Sequence, residues 1–197
     1  MSPITLSGRF VTLEPLAHAH LPGLQAAVAD GELWKLFYTS APHPDQVASW
    51  METAMQLQTE KKALPFVVRE NFSGAVVGTT RYCNVDLANL RLEIGYTWYA
   101  KRVQRSAVNT ECKLLLLRHA FEQLRCNVVE LRTDWLNQTS QRAIERLGAK
   151  RDGLLRSHMV SPDGRVRDTV VYSILNTEWM GVQKNLQFKL ESHSASC

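Results

Sequence analysis

Apolar and polar residues alternate through Gly8–Leu16 (GRFVTLEPL). Val11 and Leu13 fall on one side, and Phe10, Thr12 and Glu14 on the other, which predicts a half-buried strand. The period then changes. AHAHLPGLQAAVAD (17–30) reads as a short helix with Pro22 in its first turn. HPDQVASWMETAMQLQTEKK (43–62) reads as a second helix, with Val47, Trp50, Met51, Ala54 and Met55 on one face and Asp45 as an early cap. LPFVVRE (64–70) and AVVGTTRYC (75–83) are two strands joined through the hairpin signal NFSG. LRLEIGYTWY (90–99) is a third, after the turn-like NVDLAN.

From Tyr99 to Leu124, a basic, small-residue turn leads into a strongly apolar helix carrying Leu114, Leu115, Leu116 and Leu117 in succession. VVELRTD (128–134) is the next strand, and NQTSQRAIERLG (137–148) a helix ending at Gly148, a C′ glycine. LLRSHMV (154–160) and RVRDTVVYSIL (165–175) are strands around the tight-turn tetrapeptide SPDG. The order β-α-α-β-β-β-α-β-α-β-β predicts one α/β domain with a mixed (α+β) sheet. Hairpins supply antiparallel pairs, and strand–helix–strand crossovers supply parallel ones. The domain is expected over residues 1–180, with 181–197 a polar tail, ending SHSASC, open to disorder.

Composition narrows the function classes. With 197 residues, 45% hydrophobic and 21% charged, the chain can bury a sizeable core. A net charge of +4, spread along the sequence, is too mild to imply nucleic acid as a partner, yet favours an anionic ligand. No apolar run could span a bilayer, so no membrane partner is expected, and the start lacks a secretory signal pattern. Cys83, Cys112, Cys126 and Cys197 form no paired motif, and the six histidines show no ligand spacing. The expectation is a cytoplasmic protein with no metal site.

Candidate chemistry gathers in three places. At Gln104–Thr110 a helix start would offer unpaired N–H groups and partial positive charge to an anion, with Lys101, Arg102 and Arg105 around it. The same residues could equally form a capped core helix with solvated basic side chains. Glu93, on the strand RLEIGY, could act as a base through water, its neighbours Leu92 and Ile94 facing the opposite way, or could be a solvated strand glutamate paired with an arginine. Asn137 and Ser140 precede and begin a helix, where an N-cap and a first-turn residue belong in any case.

LEIGYTWYA, then QRSAVNTECKLLLLRHAFEQL, then VVELRTDWLNQTSQRAIERLGAKRDGLLR resembles the GNAT N-acetyltransferase superfamily, and within it the Rim-type branch that acetylates ribosomal-protein N-termini. The likeness runs from LSGRFVTLEPL to VRDTVVYSILNTEW. The ordered set of E-I-G-Y, the turn, N-x-x-S and RLGA is its most specific part. In the family turn Q/R-x-x-G-x-G/A, Gln104 matches the first position. Ala107 stands where glycine is usual, and Asn109 stands at the last small position. If the backbone at Ala107 had to be left-handed, or to approach the phosphate very closely, cofactor binding would be weakened rather than lost.

The resemblance implies the acyl-CoA N-acyltransferase fold and acetyl-CoA as donor. It further implies transfer to a primary amine by direct attack in a ternary complex. The acceptor would be a protein N-terminus or a small molecule such as an amino acid, polyamine or antibiotic, and a homodimer is compatible with it. A non-catalytic CoA-binding module is the alternative from another class. The pyrophosphate would sit on the amides of Gln104, Arg105, Ser106, Ala107, Val108, Asn109 and Thr110. The pantetheine arm would pair with Tyr96, Thr97 and Trp98 and meet the Asn137 side chain. Glu93 would serve as base through water, and Ser140 as the acid that protonates the leaving thiolate, with Tyr172 as fallback acid. A backbone N–H near Trp98 would steady the oxyanion.

Overall fold

A computed structural model describes residues 2–161 and 163–194, the last two by backbone alone. Strands β1 (Leu6–Ser7) and β2 (Val11–Pro15) are followed by helices α1 (Leu21–Ala29) and α2 (Val47–Thr59). Then come β3 (Leu64–Glu70), β4 (Val76–Asp86), β5 (Arg91–Tyr99) and α3 (Ala107–Arg118). The chain closes with β6 (Val128–Asp134), α4 (Gln138–Leu147), β7 (Lys150–Val160), β8 (Val166–Leu175) and α5 (Trp179–Ser194). All eight strands join one mixed sheet in the order β1-β2-β3-β4-β5-β6-β8-β7, in which β5 and β6 are parallel and the other pairs antiparallel.

The expected order holds, with β1 added at the start and α5 at the end. The segment read as a tail is a helix as far as Ser194. Trp179, Val182, Leu186 and Leu190 are buried, and the Trp179 indole N–H donates to Glu122 Oε1 at 2.9 Å. Residues 195–197 lie outside the described residues. α5 also explains the four leucines of α3. Leu114 to Leu117 point in different directions around the helix, yet all are buried, because α3 lies between the sheet and α5. A helix that is apolar all round needs cover on both sides.

A second anchor holds α3. The Glu111 carboxylate accepts the backbone N–H groups of Arg9, Phe10 and Val11 at 2.8, 2.6 and 2.8 Å. Gly8 makes room for it, since a Cβ there would come within 2.4 Å of the carboxyl carbon. On the opposite face α1 and α2 pack on β3 and β4. The 43–62 helix is entered through a short 3-10 turn at Pro44–Gln46. Its cap is the His43 ring, which accepts from Asp45 N–H at 3.3 Å, so Asp45 is not the cap. Gly148 ends α4 at φ +103, in the left-handed C-terminal position expected for it. Around Pro162, which is outside the described residues, Ser161 N–H donates to Arg165 O at 2.9 Å and Gly164 is left-handed.

Candidate active site

The two parallel strands stay together for three rungs only, Arg91–Val128, Leu92–Val129 and Glu93–Glu130, and then part. β5 bends away at a bulge. Thr79 faces Trp98 and Arg81 faces Gly95, so Thr80 alone opposes both Tyr96 and Thr97, with Tyr96 at φ +52. Because β5 and β6 are parallel, the helices that follow them, α3 and α4, begin at the same end of the opening. Open α/β sheets bind ligands in such a crevice, outside the carboxyl ends of the strands.

The α3 start is a capped N-terminus. Ser106 Oγ accepts Val108 N–H at 3.3 Å and donates to Val103 O at 2.6 Å. Among the other first-turn residues, Ala107 and Asn109 have no intrahelical carbonyl to pair with their amides, whereas the Thr110 N–H lies one turn above the Ser106 carbonyl. The left-handed residue in this turn is Arg105, at φ +62, while Ala107 is the first residue of the α-helix. The missing glycine therefore imposes no backbone strain, and a weakening through a left-handed Ala107 does not follow. Gln104 closes the turn by donating from Nε2 to Tyr99 O at 3.1 Å. Of the basic residues, Lys101 and Arg105 are exposed. Arg102 is engaged elsewhere, its Nη1 donating to Glu70 Oε2 at 3.1 Å and its backbone N–H to Asp30 Oδ2 at 3.2 Å.

At α4, Asn137 Oδ1 accepts Ser140 N–H at 3.0 Å, a side-chain N-cap. The cap consumes the Asn137 carbonyl and leaves its NH₂. Ser140 is half-buried on the first turn.

Glu93 sits on the last shared rung beside Glu130 and is only 8% exposed. Its Oε2 accepts Asn84 Nδ2 at 2.8 Å and lies 3.4 Å from Arg132 Nε, while Arg132 is also bound to Glu130 at 2.7 Å. Glu93 is thus paired with an arginine, but it is buried at the mouth of the opening rather than solvated. Burial pushes its carboxyl above the ordinary value, against the Asn84 hydrogen bond and the charges of Arg132, Arg167 and His158. That direction suits a proton acceptor.

Tyr172 is placed differently. It is fully buried under α4, with its hydroxyl donating to Glu145 Oε1 at 2.9 Å. Burial and that carboxylate push the phenol up to about 12.

Sequence reasoning missed two buried cations near the bulge. Lys113 on α3 reaches Thr97 Oγ1 at 2.7 Å and Thr80 Oγ1 at 3.3 Å. Arg81 on β4 lies on the other face, between the rings of Trp50 and Tyr96. A charged residue inside an otherwise buried strand or apolar helix was the available signal.

The comparisons agree with this architecture. Residues 11–150 match the family model described as "Acetyltransferase (GNAT) domain". The chain belongs to the GNAT acetyltransferase family. It is similar to the Bacillus subtilis (strain 168) protein provisionally named ribosomal N-acetyltransferase YdaF, being 33% identical over 110 residues. That match covers 56% of this chain and spans 59% of the relative's own length. Among solved GNAT structures, a GCN5-related N-acetyltransferase from Brucella melitensis is 31% identical with a TM-score of 0.86, covering 96% of this chain and 86% of that one. A T. thermophilus protein provisionally described as an acetyltransferase is 38% identical with a TM-score of 0.83, covering 96% and 98%. Among the described residues no group of three or more His, Cys, Asp or Glu could hold a metal ion, and no helix is long and apolar enough to cross a membrane.

Proposed function

We propose that the protein is an acetyl-CoA-dependent N-acetyltransferase acting on a primary amine, in a ternary complex of enzyme, donor and acceptor. The observation that carries the reading is the parting of β5 from β6 just past Glu93, with two helix N-termini at the same end of the opening. The residues present fit the donor. The open first-turn amides of α3, at Ala107 and Asn109, with Arg105 beside them, would hold a pyrophosphate. The unpaired edge of β5 at Tyr96, Thr97 and Trp98 would pair with the amides of the pantetheine arm. The Asn137 NH₂ would donate to the same arm. Acetyl-CoA supplies the thioester carbonyl that the amine attacks.

The chain's residues then have three tasks. Glu93 takes a proton from the amine through water, freeing its lone pair for the carbonyl carbon. A backbone N–H of β5 at the bulge donates to the carbonyl oxygen as it gains charge. As the C–S bond breaks, Ser140 Oγ–H gives its proton to the departing sulfur. Ser140 takes this role because the Tyr172 hydroxyl is turned to Glu145. The name of the Bacillus relative favours a protein N-terminus as acceptor. Three buried free thiols, Cys83, Cys112 and Cys126, accord with a reducing, cytoplasmic setting.

Thiol release from acetyl-CoA, measured with N-terminal peptides and with small amines, tests the reading. Mass spectrometry should find 42 Da added to an amine, about the mass of one acetyl group less the displaced proton. Acetyl-CoA binding without thiol release from any amine would leave a binding module and overturn the enzyme.

A further inference from the structure

Arg81 is a buried cation without an anion. It is 2% exposed, and among the described residues no carboxylate, carbonyl or hydroxyl accepts a hydrogen bond from it. Its guanidinium carbon lies 4.1 Å from the centroid of the Tyr96 ring and 4.9 Å from that of Trp50. The Nε atom is fully buried and unpartnered. In the same cluster the Trp98 ring packs 6.1 Å from Trp50, and Trp98 Nε1 is a second buried donor with no partner. The cysteine beside Arg81, Cys83, is no counter-ion, because burial pushes its thiol up to about 12. Two aromatic faces offset part of the cost of burying a guanidinium, but they use none of its five donors. A carboxylate would accept from that fork in the bidentate geometry that arginine is built for.

The cluster lies on the acceptor side of Glu93. Arg81 faces Gly95 and Cys83 faces Glu93, so all four share the sheet face toward α1 and α2. Glu93 is the diagonal cross-strand neighbour of Arg81, about 7–8 Å away at the backbone. Between them, at Gly95, the missing side chain lets the Glu93 carboxylate lie over the strand: a Cβ there would come within 3.0 Å of Glu93 Oε1 and 3.2 Å of Cys83 Sγ. The base leans over Gly95 toward the unpaired guanidinium, and both lie on one face.

We propose that Arg81, with Trp50, Tyr96 and Trp98 around it, forms an anion subsite that binds a carboxylate carried by the acceptor amine. The inference rests on the transferase reading and names its substrate class, an amine with a carboxylate a few bonds away. The carboxylate comes either from a free amino acid or from an acidic side chain near a peptide N-terminus.

Two measurements test it. Tryptophan fluorescence follows titration with N-acetylglycine and N-acetylglutamate, and with their amides; Trp50 and Trp98 are the reporters. Saturable quenching by a carboxylate, at least tenfold weaker with the amide and lost in Arg81→Gln, supports the subsite. Equal response to acid and amide, or none to either, overturns it, and this comparison in the unaltered protein stands even if the variant does not fold.

The second measurement is thiol release. The kcat/KM for carboxylate-bearing amines should exceed that for their amides by about 10- to 100-fold, the worth of one charged hydrogen-bonded contact. Arg81→Gln should remove that preference and leave acetyl-CoA affinity unchanged, and Arg81→Lys should restore part of it. Free amino acids set against acidic-first peptides separate the two carboxylate sources. A variant that loses acids and amides alike would make Arg81 a packing residue and overturn the proposal. Carboxylate binding in a protein that releases no thiol would keep the subsite and remove the transferase reading.

Discussion

Replacing Lys113 with methionine should make the protein more stable at neutral pH. Lys113 lies inside α3, 5% exposed, and its ammonium meets two threonine hydroxyls rather than a carboxylate. Burial lowers it from an ordinary value of 10.5 to about 8. The unfolded chain therefore holds this proton more firmly than the folded one, so stability rises with pH between about 8 and 10.5 and the full penalty is present below 8. At about 1.4 kcal/mol per pH unit, a fall of about 2.5 is worth about 3 kcal/mol.

Methionine removes the charge and keeps the unbranched volume. It strands no partner, because the Thr80 and Thr97 hydroxyls already lie 2.8 Å apart and bond each other. Urea unfolding of the ligand-free protein at pH 7 should show Lys113→Met more stable by about 2–3 kcal/mol, or about 5–10 °C in Tm. At pH 10 the difference should shrink to about 1 kcal/mol or less, since the folded wild type is by then neutral at this site. A variant less stable than wild type at pH 7, or a difference that does not change with pH, would refute the reasoning.

The other predictions concern the site. Glu93→Gln should lower turnover at neutral pH and leave acetyl-CoA affinity nearly intact. The acidic limb of the pH–rate profile should lie above the ordinary carboxylate value and vanish in the variant; an unchanged profile would make Glu93 structural. Asn137→Ala should raise KM for acetyl-CoA and cost about 1 kcal/mol of stability through the lost cap. Ser140→Ala should lower kcat about 10²-fold at constant KM, and full activity would pass the acid role to water. Arg105→Ala should weaken acetyl-CoA binding in calorimetry more than Arg69→Ala, because Arg69 is bound to Glu14 at 2.7 Å, on β3.

Local signals were legible in the sequence wherever one segment determines its own form. The alternation at Val11 and Leu13, the periodic face of α2, the cap at Asn137 and the glycine at 148 all appear where the pattern puts them. These features depend on residues within a few positions of each other. The family was legible for a related reason: its motifs are short and sit at the ends of elements, where backbone geometry restricts the residues allowed.

What the sequence left open depends on residues far apart in the chain. The last helix looks polar alone, and its buried face acquires meaning only against Leu114–Leu117 and Phe121, about 60 residues earlier. The turn at Gln104–Thr110 shows its small residues, but only the folded backbone puts the left-handed position on Arg105 and frees Ala107 from it. The arginine that pairs with Glu93 is not visible in the sequence, because it is β6 that brings Arg132 alongside. Arg81 in GTTRYC is one more charged residue until α2 brings Trp50 and the bulge brings Tyr96 against it. Burial and charge pairing are properties of a place in space. Only the packing of strands and helices around Arg81 decides that a cation there stands in a buried, aromatic frame with its Nε unpaired.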